Sequence, residues 1–389
     1  IVLYTLIFVP EKSNTNQNLN EKNNIEQNTD TPTLDQKEPL VQISREEALK
    51  QNERIQFENK SIIGSISLKG AAIDDLTFKN YNTSLENNEK VILLGPRNIE
   101  NGYLIESGFV TSDKDINIPD SNTTWSLIGN NKLTEKSPIK LSWSNNQGLT
   151  FEKEISLDNK YLFTIKQSVS NSTNKKYDFY SYGQIIRNKI PEISNFYILH
   201  EGLIATLDDE LIEEDYDDIQ EKKFTSTSQK GWLGIGDKYW ITSLIPPKNK
   251  EFKTTFDYKK KFRANFIATE PLELVANGKV DEKLQIIVAA KRVDIIDSYA
   301  ENLNIDKFDL VIDWGFLYFI TKPLFFAIDY FFKLLGNYGL AIIAVTICIR
   351  LAFFPLANFS FRSMAKMKAL QPEMVRLKEL HKNDKMKLQ

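Results

Sequence analysis

One apolar run constrains this chain more than any other part of its sequence. Residues 339–357 read GLAIIAVTICIRLAFFPLA, nineteen residues whose only charged member is Arg350. As a helix rising about 1.5 Å per residue, the run is about 28 Å long, which matches the roughly 30 Å hydrocarbon core of a bilayer. The sequence therefore predicts a membrane-spanning helix with a permanent cation at its twelfth position.

The cost of placing Arg350 inside a bilayer requires an explanation. Insertion scales give a free-energy cost of roughly 2.5–3.5 kcal/mol for an arginine at the centre of a spanning helix, and simulations of isolated helices give about 10 kcal/mol or more. Snorkelling to the inner headgroups would lower that cost, but Arg350 lies about 10 Å from the end of the run. Thr346, one turn earlier, shares its face. We therefore favour a polar strip that faces protein or trapped water, with snorkelling as the alternative.

The charge of the chain is distributed unevenly. Residues 358–389 contain eight basic and three acidic residues, whereas the whole chain has a net charge of −3. The positive-inside rule places this basic tail in the cytoplasm and the residues before the apolar run on the outer face of the membrane. Because the overall charge is near zero, composition gives no reason to expect nucleic acid as a partner.

The first 55 residues predict no folded domain. Residues 1–9, IVLYTLIFV, are apolar but too short to span a bilayer. They are either the end of a truncated first transmembrane helix, which we favour, or the remains of a signal peptide. Residues 10–55 are rich in Asn, Gln, Glu and Lys and predict a flexible polar linker. The chain starts without Met and stops within a helical pattern, so we expect a fragment at both ends.

Residues 56–310 consist of short alternating segments separated by Asn, Asp, Gly and Ser. In the clearest example, apolar residues alternate with polar ones on both sides of a turn at residues 158–160: Leu149, Phe151, Ile155, Leu157, Tyr161, Phe163, Ile165. Such signals recur along the whole region and predict a large antiparallel β-sandwich.

The predicted β-domain carries little sign of catalysis or metal binding. Its one histidine, His200, has no cysteine partner, because the single cysteine, Cys348, lies in the apolar run. The acidic residues 207–221 lack the glycine and the ligand spacing of a calcium loop, and predict a solvated loop. Residues 231–247 are aromatic at strand spacing, which is more typical of core than of a ligand groove. We expect no catalytic residue, no metal and no cofactor.

Residues 311–336 predict an amphipathic helix. Lys322, Asp329 and Lys333 fall within about 40° of one another on an otherwise aromatic and aliphatic helix. We favour a helix that lies along the membrane surface, with a second spanning helix as the alternative. Residues 336–339, GNYG, predict a turn that leads into the transmembrane helix at 337–358.

Residues 359–389 predict a further helix, with an apolar stripe at intervals of three or four residues: Met364, Met367, Leu370, Met374, Leu377, Leu380. Pro372 predicts a break or bend near Gln371. The stripe requires a partner helix, which lies downstream or on another protein. A basic amphipathic helix on the anionic inner leaflet is the alternative.

Together these segments resemble a known family. GNYGLAIIAVTICIRLAFFPL followed by SMAKMKALQPEM is similar to the YidC insertases of bacteria, members of the Oxa/Alb membrane insertase family. FLYFITKPLF resembles the family's interfacial helix, and GWLGIGDKYWITSLIPP resembles a segment of its periplasmic domain. The resemblance extends from about Gly231 onward, and the earlier β region matches mainly in size, pattern and position.

The resemblance implies a periplasmic β-supersandwich followed by the first part of a helical bundle in the bacterial inner (plasma) membrane. In that family five helices surround a hydrophilic groove, in which Arg350 would be the positive charge and Thr346 part of the polar lining. The groove would hold the hydrophilic part of an incoming protein while its apolar part moves into lipid. The implied function is a non-enzymatic membrane protein insertase and chaperone that acts alone or with the Sec translocon. Nascent membrane proteins, the ribosome and membrane lipid are the implied partners.

The resemblance also implies that residues 359–389 begin a cytoplasmic helical hairpin. The matching positions are Ser363, Met364, Lys366, Met367, Gln371 and Pro372. Leu351 departs from relatives that carry a small residue there, and the later membrane helices are missing, so the bundle would be incomplete. A different class of function stays open: a membrane-tethered periplasmic β-domain that binds glycan or peptide, with a merely structural Arg350.

Overall fold

The computed structural model describes residues 43–84, 86–191, 200–315 and 317–380. The chain forms two compact units, one ending at Val311 and one beginning at Ile312. The predicted truncated span and most of the predicted polar linker lie outside the described residues, as do residues 381–389.

The first unit is built mainly from β-strands. The described strands are β1 (Arg54–Glu58), β2 (Ile62–Ser67), β3 (Ile73–Asn82), β4 (Lys90–Leu94), β5 (Tyr103–Val110), β6 (Ser126–Ile128), β7 (Lys132–Leu133), β8 (Ile139–Ser144), β9 (Leu149–Leu157), β10 (Leu162–Asn171), β11 (Tyr177–Arg187), β12 (Gly202–Leu207), β13 (Glu210–Asp215), β14 (Phe224–Ser228), β15 (Gly231–Gly236), β16 (Trp240–Ile245), β17 (Phe252–Tyr258), β18 (Phe262–Ala268), β19 (Leu272–Leu274) and β20 (Lys279–Ala290).

These strands form two large sheets. The first has eleven strands in the order β14-β17-β18-β11-β5-β3-β2-β1-β7, with β19 beside β11 and β4 beside β3. The second has nine strands in the order β13-β12-β15-β16-β20-β10-β9-β8-β6. The recorded pairings are antiparallel except that of β1 with β7, which is parallel. The predicted mainly β architecture is confirmed.

Helices form a smaller part of the first unit and the regular structure of the described part of the second. They are α1 (Arg45–Lys50), α2 (Tyr216–Glu221), α3 (Val293–Leu303), a 3-10 turn (Phe308–Val311), α4 (Tyr318–Leu335) and α5 (Tyr338–Leu380). The first of them lies within the range expected to be a polar linker, where Ser44 and Glu47 form a reciprocal capping box. The capping box thus stabilises a short helix before the first strand.

The hairpin that the sequence predicted is formed by β9 and β10. Leu157 lies opposite Phe163 and Ile155 opposite Ile165, and all four side chains are buried. The alternating residues face the other sheet, because the ring of Phe163 meets that of Phe57 in β1 edge to face, with centroids 5.2 Å apart. The core of the sandwich therefore lies between the two sheets.

Two further segments test the sequence reading. The prediction of a solvated loop at residues 207–221 is wrong, because these residues form the hairpin of β12 with β13 and then α2. Asp208 and Asp209 adopt positive φ values of 47° and 72° and make the tight turn. The aromatic segment at 231–247 is core only in part. Trp232 is fully buried, as predicted, and its ring lies 5.2 Å from that of Phe308, whereas Tyr239 is 59% exposed.

Candidate functional site

A glycine turn joins α4 to α5, as the sequence predicted. Gly336 follows α4 with φ of 68°, which glycine adopts without strain, and its N–H donates to the carbonyl oxygen of Phe332 at 2.7 Å. The side chain of Asn337 accepts a hydrogen bond from the N–H of Leu340 at 3.2 Å, at the start of α5. The rings of Phe332 and Tyr338 stack with centroids 4.0 Å apart. The turn therefore holds the two helices in direct contact.

The helix α5 contains the apolar run and continues well beyond it. Its 43 residues correspond to a length of about 65 Å, roughly twice the hydrocarbon thickness of a bilayer. Within the described parts of the chain it is the one helix long and apolar enough to cross a membrane. A span formed by its first half leaves a helical extension of comparable length outside the bilayer.

The two sides of α5 differ in their surroundings. Ala341 and Val345 are buried, and α4 is the helix that contacts α5. Thr346 and Arg350 are exposed and lie on the helix about 140° away from that buried pair. The polar pair therefore faces away from the side of α5 that is already covered.

The polar pair has few partners within the structure. The hydroxyl of Thr346 donates to the carbonyl oxygen of Ile342 at 2.8 Å, a bond within its own helix. Among the described residues, no hydrogen bond, ion pair or ring contact is recorded for Arg350. The structure places Thr346 and Arg350 one turn apart, and the groove around them stays a prediction.

The segment predicted to begin a hairpin is part of α5. The helix continues through Pro355 and Pro372 to Leu380, so the break expected near Gln371 does not occur. Each proline removes one N–H. Around Pro372 the flanking residues, KALQ before and EMVR after, mostly favour helix strongly enough to continue it. The candidate hairpin positions all lie exposed along this extension: Ser363, Met364, Lys366, Met367, Gln371, Pro372. Their function in a hairpin stays a prediction.

The helix α4 carries the predicted polar stripe. Asp329 and Lys333 form an ion pair one turn apart at 2.7 Å. The ammonium of Lys322 lies 5.7 Å from the ring centroid of Trp314. Phe319 and Tyr330 expose about two thirds of their surface, at 68% and 65%. An exposed aromatic surface with a paired polar stripe is the composition expected at a membrane–water interface, and the interfacial placement stays a prediction.

A buried polar network connects the two sheets of the β-domain. The guanidinium of Arg187 in β11 donates to Asp237, after β15, at 2.5 Å and to the hydroxyl of Tyr216 at 3.2 Å. It also lies 4.5 Å from the ring centroid of Tyr103. Burial raises the pKa of the Tyr103 and Tyr216 hydroxyls, so both stay protonated. The network is a structural link between the sheets, and sequence reasoning did not predict it.

His200, the histidine of the β-domain, lies beside an acidic residue. Its Nδ1 atom is 3.2 Å from Oδ1 of Asp215. In the described ranges, no group of three or more His, Cys, Asp or Glu residues could hold a metal ion.

Two family models match the chain. Residues 54–327 match the YidC periplasmic domain, and residues 330–389 match the 60Kd inner membrane protein family. Over all 389 residues the chain is 69% identical to the membrane protein insertase YidC of Pelagibacter ubique and covers 70% of it. It is 41% identical over 360 residues to the membrane protein insertase YidC of Rickettsia prowazekii, covering 90% of this chain and 64% of that relative. The chain thus spans about two thirds of these relatives.

A distant likeness exists among solved structures. A galactose mutarotase related enzyme from Lactobacillus acidophilus aligns with 61% of this chain and 97% of its own at a TM-score of 0.45 and 12% identity. At this distance the alignment supports no argument about function.

Proposed function

Because the chain belongs to the YidC membrane protein insertase family, we propose that it forms the periplasmic domain and the beginning of the membrane core of an inner-membrane insertase. Its activity is to assist the insertion, folding and assembly of integral membrane proteins, without enzymatic chemistry. The complete protein crosses the membrane several times, and the helices that follow this chain complete the groove.

The placement of Arg350 carries this proposal. A permanent cation lies within an apolar helix, with Thr346 one turn before it, on the side opposite to buried Ala341 and Val345. A helix that only anchored the β-domain would gain nothing from a charge in this position and would bear its insertion cost. Further helices that surround this face and enclose water remove that cost, because the guanidinium stays hydrated.

The groove acts through hydration and charge. Water inside the membrane shortens the hydrocarbon barrier for the polar part of an incoming segment. A fixed cation attracts an acidic residue in that segment by about 4 kcal/mol at about 4 Å when the effective dielectric constant is near 20. Thr346 adds hydrogen-bonding capacity to the wall. The apolar part of the substrate then moves sideways into lipid.

The other regions have supporting functions. The basic extension of α5 faces the cytoplasm, where anionic lipid headgroups and the ribosome carry the complementary charge. Nascent membrane proteins are the substrates, delivered either directly or beside the Sec translocon. The amphipathic α4 lies along the outer membrane surface and precedes the spanning part of α5 in the chain.

The experiment uses the complete insertase with changes at Arg350. Arg350→Ala and Arg350→Lys are reconstituted into proteoliposomes, and insertion is measured for a single-span substrate with two acidic residues in its translocated segment. A matched substrate carries asparagine at both positions. We expect Arg350→Ala to insert the acidic substrate at least about tenfold more slowly, equivalent to about 1.4 kcal/mol, and Arg350→Lys to stay close to wild type.

The control variant is Arg362→Ala, which removes a basic residue beyond the apolar run and should leave both substrates unaffected. If Arg350→Ala and Arg350→Lys both insert the acidic substrate as well as wild type, the electrostatic role is wrong. A tethered glycan- or peptide-binding module predicts no assisted insertion of either substrate, by wild type or by the variants.

A further inference from the structure

The buried part of α5 is confined to its first turns. Among the described residues of α5, the buried side chains are Ala341 and Val345, at 0% and 4% exposure, and Ala344 between them is half-buried. No described side chain from residue 346 onward is buried. Small residues let two helices in a membrane approach closely, so alanine at two of these three positions favours packing against α4.

The link between the two helices is short and closed by hydrogen bonds. Two residues, Gly336 and Asn337, connect α4 to α5. The carbonyl oxygen of Asn337 accepts a hydrogen bond from the N–H of Ala341 at 3.0 Å. The stacked rings of Phe332 and Tyr338 are nearly parallel, with an angle of 15° between their planes. Such a link leaves α5 little freedom to turn about its own axis relative to α4.

The rotation of α5 about its axis decides which surroundings Arg350 meets. Thr346 and Arg350 lie about 140° around the helix from Ala341 and Val345. A helix with its side chains has a radius of about 5–6 Å, so a rotation of about 40° moves a side chain at its surface by about 4 Å. Two charges about 4 Å apart would then be about 8 Å apart, which halves their electrostatic attraction.

We propose that α4 positions Arg350 by fixing the rotation of α5, and that Tyr338 and Ala341 are the positioning residues. This inference rests on the proposed function, in which Arg350 faces a hydrated groove. The ion pair of Asp329 with Lys333, at 2.7 Å, keeps one side of α4 in water at the membrane surface. The helix α4 is therefore a fixed reference for the rotation of α5. Tyr338 and Ala341 act on the substrate only through Arg350.

The test uses the complete insertase in proteoliposomes, with the acidic substrate and its asparagine counterpart. Ala341→Leu adds bulk where α5 packs against α4, and Tyr338→Ala removes the ring that stacks on Phe332. We expect both variants to insert the acidic substrate about three- to tenfold more slowly and the asparagine substrate at the wild-type rate. A merely structural loss would slow both substrates alike. Tyr338→Phe keeps the stacked ring and should insert both substrates like wild type.

A second measurement reports the rotation itself. Ile347 and Phe353 flank Arg350 by about 60° on opposite sides of α5. Each is replaced by cysteine in a chain that carries Cys348→Ser, and its rate of labelling by a water-soluble maleimide is measured, because the reactive thiolate forms in water rather than in lipid. In both variants we expect one site to label faster and the other more slowly than in the parent chain. Faster labelling at both sites would show loosening rather than rotation, and would overturn the proposal.

The matched control is Ala352→Leu. It makes the same substitution on the same side of α5 as Ala341, about three turns further along, where the side chain is exposed. Its labelling and insertion rates should match those of wild type.

Two other outcomes separate this inference from the proposed function. Unchanged labelling at positions 347 and 353 in both variants overturns the positioning role, as does wild-type insertion of the acidic substrate by both variants when Arg350→Ala has lost it. Wild-type insertion of the acidic substrate by Arg350→Ala would refute the role of the charge itself, and this inference with it.

Discussion

Replacing Lys153 with methionine is expected to change how the stability of the β-domain depends on pH. Burial lowers the pKa of the Lys153 ammonium from 10.5 to about 8, and the negative charge of Glu106 opposes that shift only in part. In the unfolded chain the amine has its ordinary pKa. Between pH 8 and pH 10.5 the unfolded state therefore binds more protons than the folded state, and the free energy of unfolding rises with pH.

The change in the free energy of unfolding follows from the difference between the folded and unfolded pKa values of Lys153. A shift from 10.5 to about 8 corresponds to about 3 kcal/mol, because each pKa unit is worth about 1.4 kcal/mol. Solvent screens the charge of Lys153 very little, because its side chain is 3% exposed. The stability that wild type gains over Lys153→Met between pH 8 and pH 10.5 should therefore be about 3 kcal/mol.

The assay is urea denaturation of the whole chain in detergent, followed by tryptophan fluorescence from pH 7 to pH 10.5. Burial raises the pKa of Tyr103 and Tyr182, so these hydroxyls titrate near pH 10 only in the unfolded chain; they are present in both proteins and cancel in the difference. Lys166→Met serves as the surface control and should stay within about 0.5 kcal/mol of wild type at each pH. Parallel curves for wild type and Lys153→Met would refute the assignment of a buried, protonated amine.

Two other changes test other parts of the structure. Arg187→Ala leaves the carboxylate of Asp237 buried without its cation, so the free energy of unfolding should fall by about 3–5 kcal/mol, measured by urea denaturation. Adding Asp237→Asn to the same chain should recover part of that free energy. An unchanged denaturation midpoint in Arg187→Ala would show that the ion pair contributes little to stability. Spin labels at Ser363 and Lys378, with Cys348 replaced by serine, should give a distance near 22 Å by double electron–electron resonance, because α5 is continuous. A clearly shorter distance would indicate a chain that reverses near Pro372.

The hairpin of β9 and β10 could be predicted because one face of each strand is apolar and a polar turn separates them. The same alternation contained a second signal, which the prediction did not use. In LTFEKEISL, Lys153 occupies an inward position between Phe151 and Ile155. A charged residue in an inward position requires a partner or a ligand, so the unusual lysine was readable from the sequence, but the groups around it were not.

Long-range pairings explain most of what the sequence could not predict. Arg187 and Asp237 are fifty residues apart and meet only because two different sheets face each other. The acidic residues 207–221 were wrongly assigned to a loop because their charges outweighed the two-residue aspartate turn and the buried Tyr216 and Ile219. The expected break near Gln371 failed for a different reason, since the helix-forming residues around Pro372 outweigh the loss of one hydrogen bond.

The groove stays a prediction. An apolar run with one arginine indicates a charge that needs polar surroundings, but the sequence does not show what surrounds it. The structure adds the orientation of the polar pair: Thr346 and Arg350 lie on the side of α5 opposite the buried residues Ala341 and Val345.

The length of α5 has a mechanical consequence. From Arg350 to Leu380 the helix extends about 45 Å, so its outer end acts as a lever arm on the arginine. A 10° tilt of a stiff rod of that length displaces its tip by about 8 Å, and the same tilt applied at the tip reorients the residues at its base. Pro355 and Pro372 lie between the two ends, and prolines are where a helix bends most easily. A force applied at the basic end would thus reach Arg350 as a rotation, reduced by how far the helix bends at the two prolines.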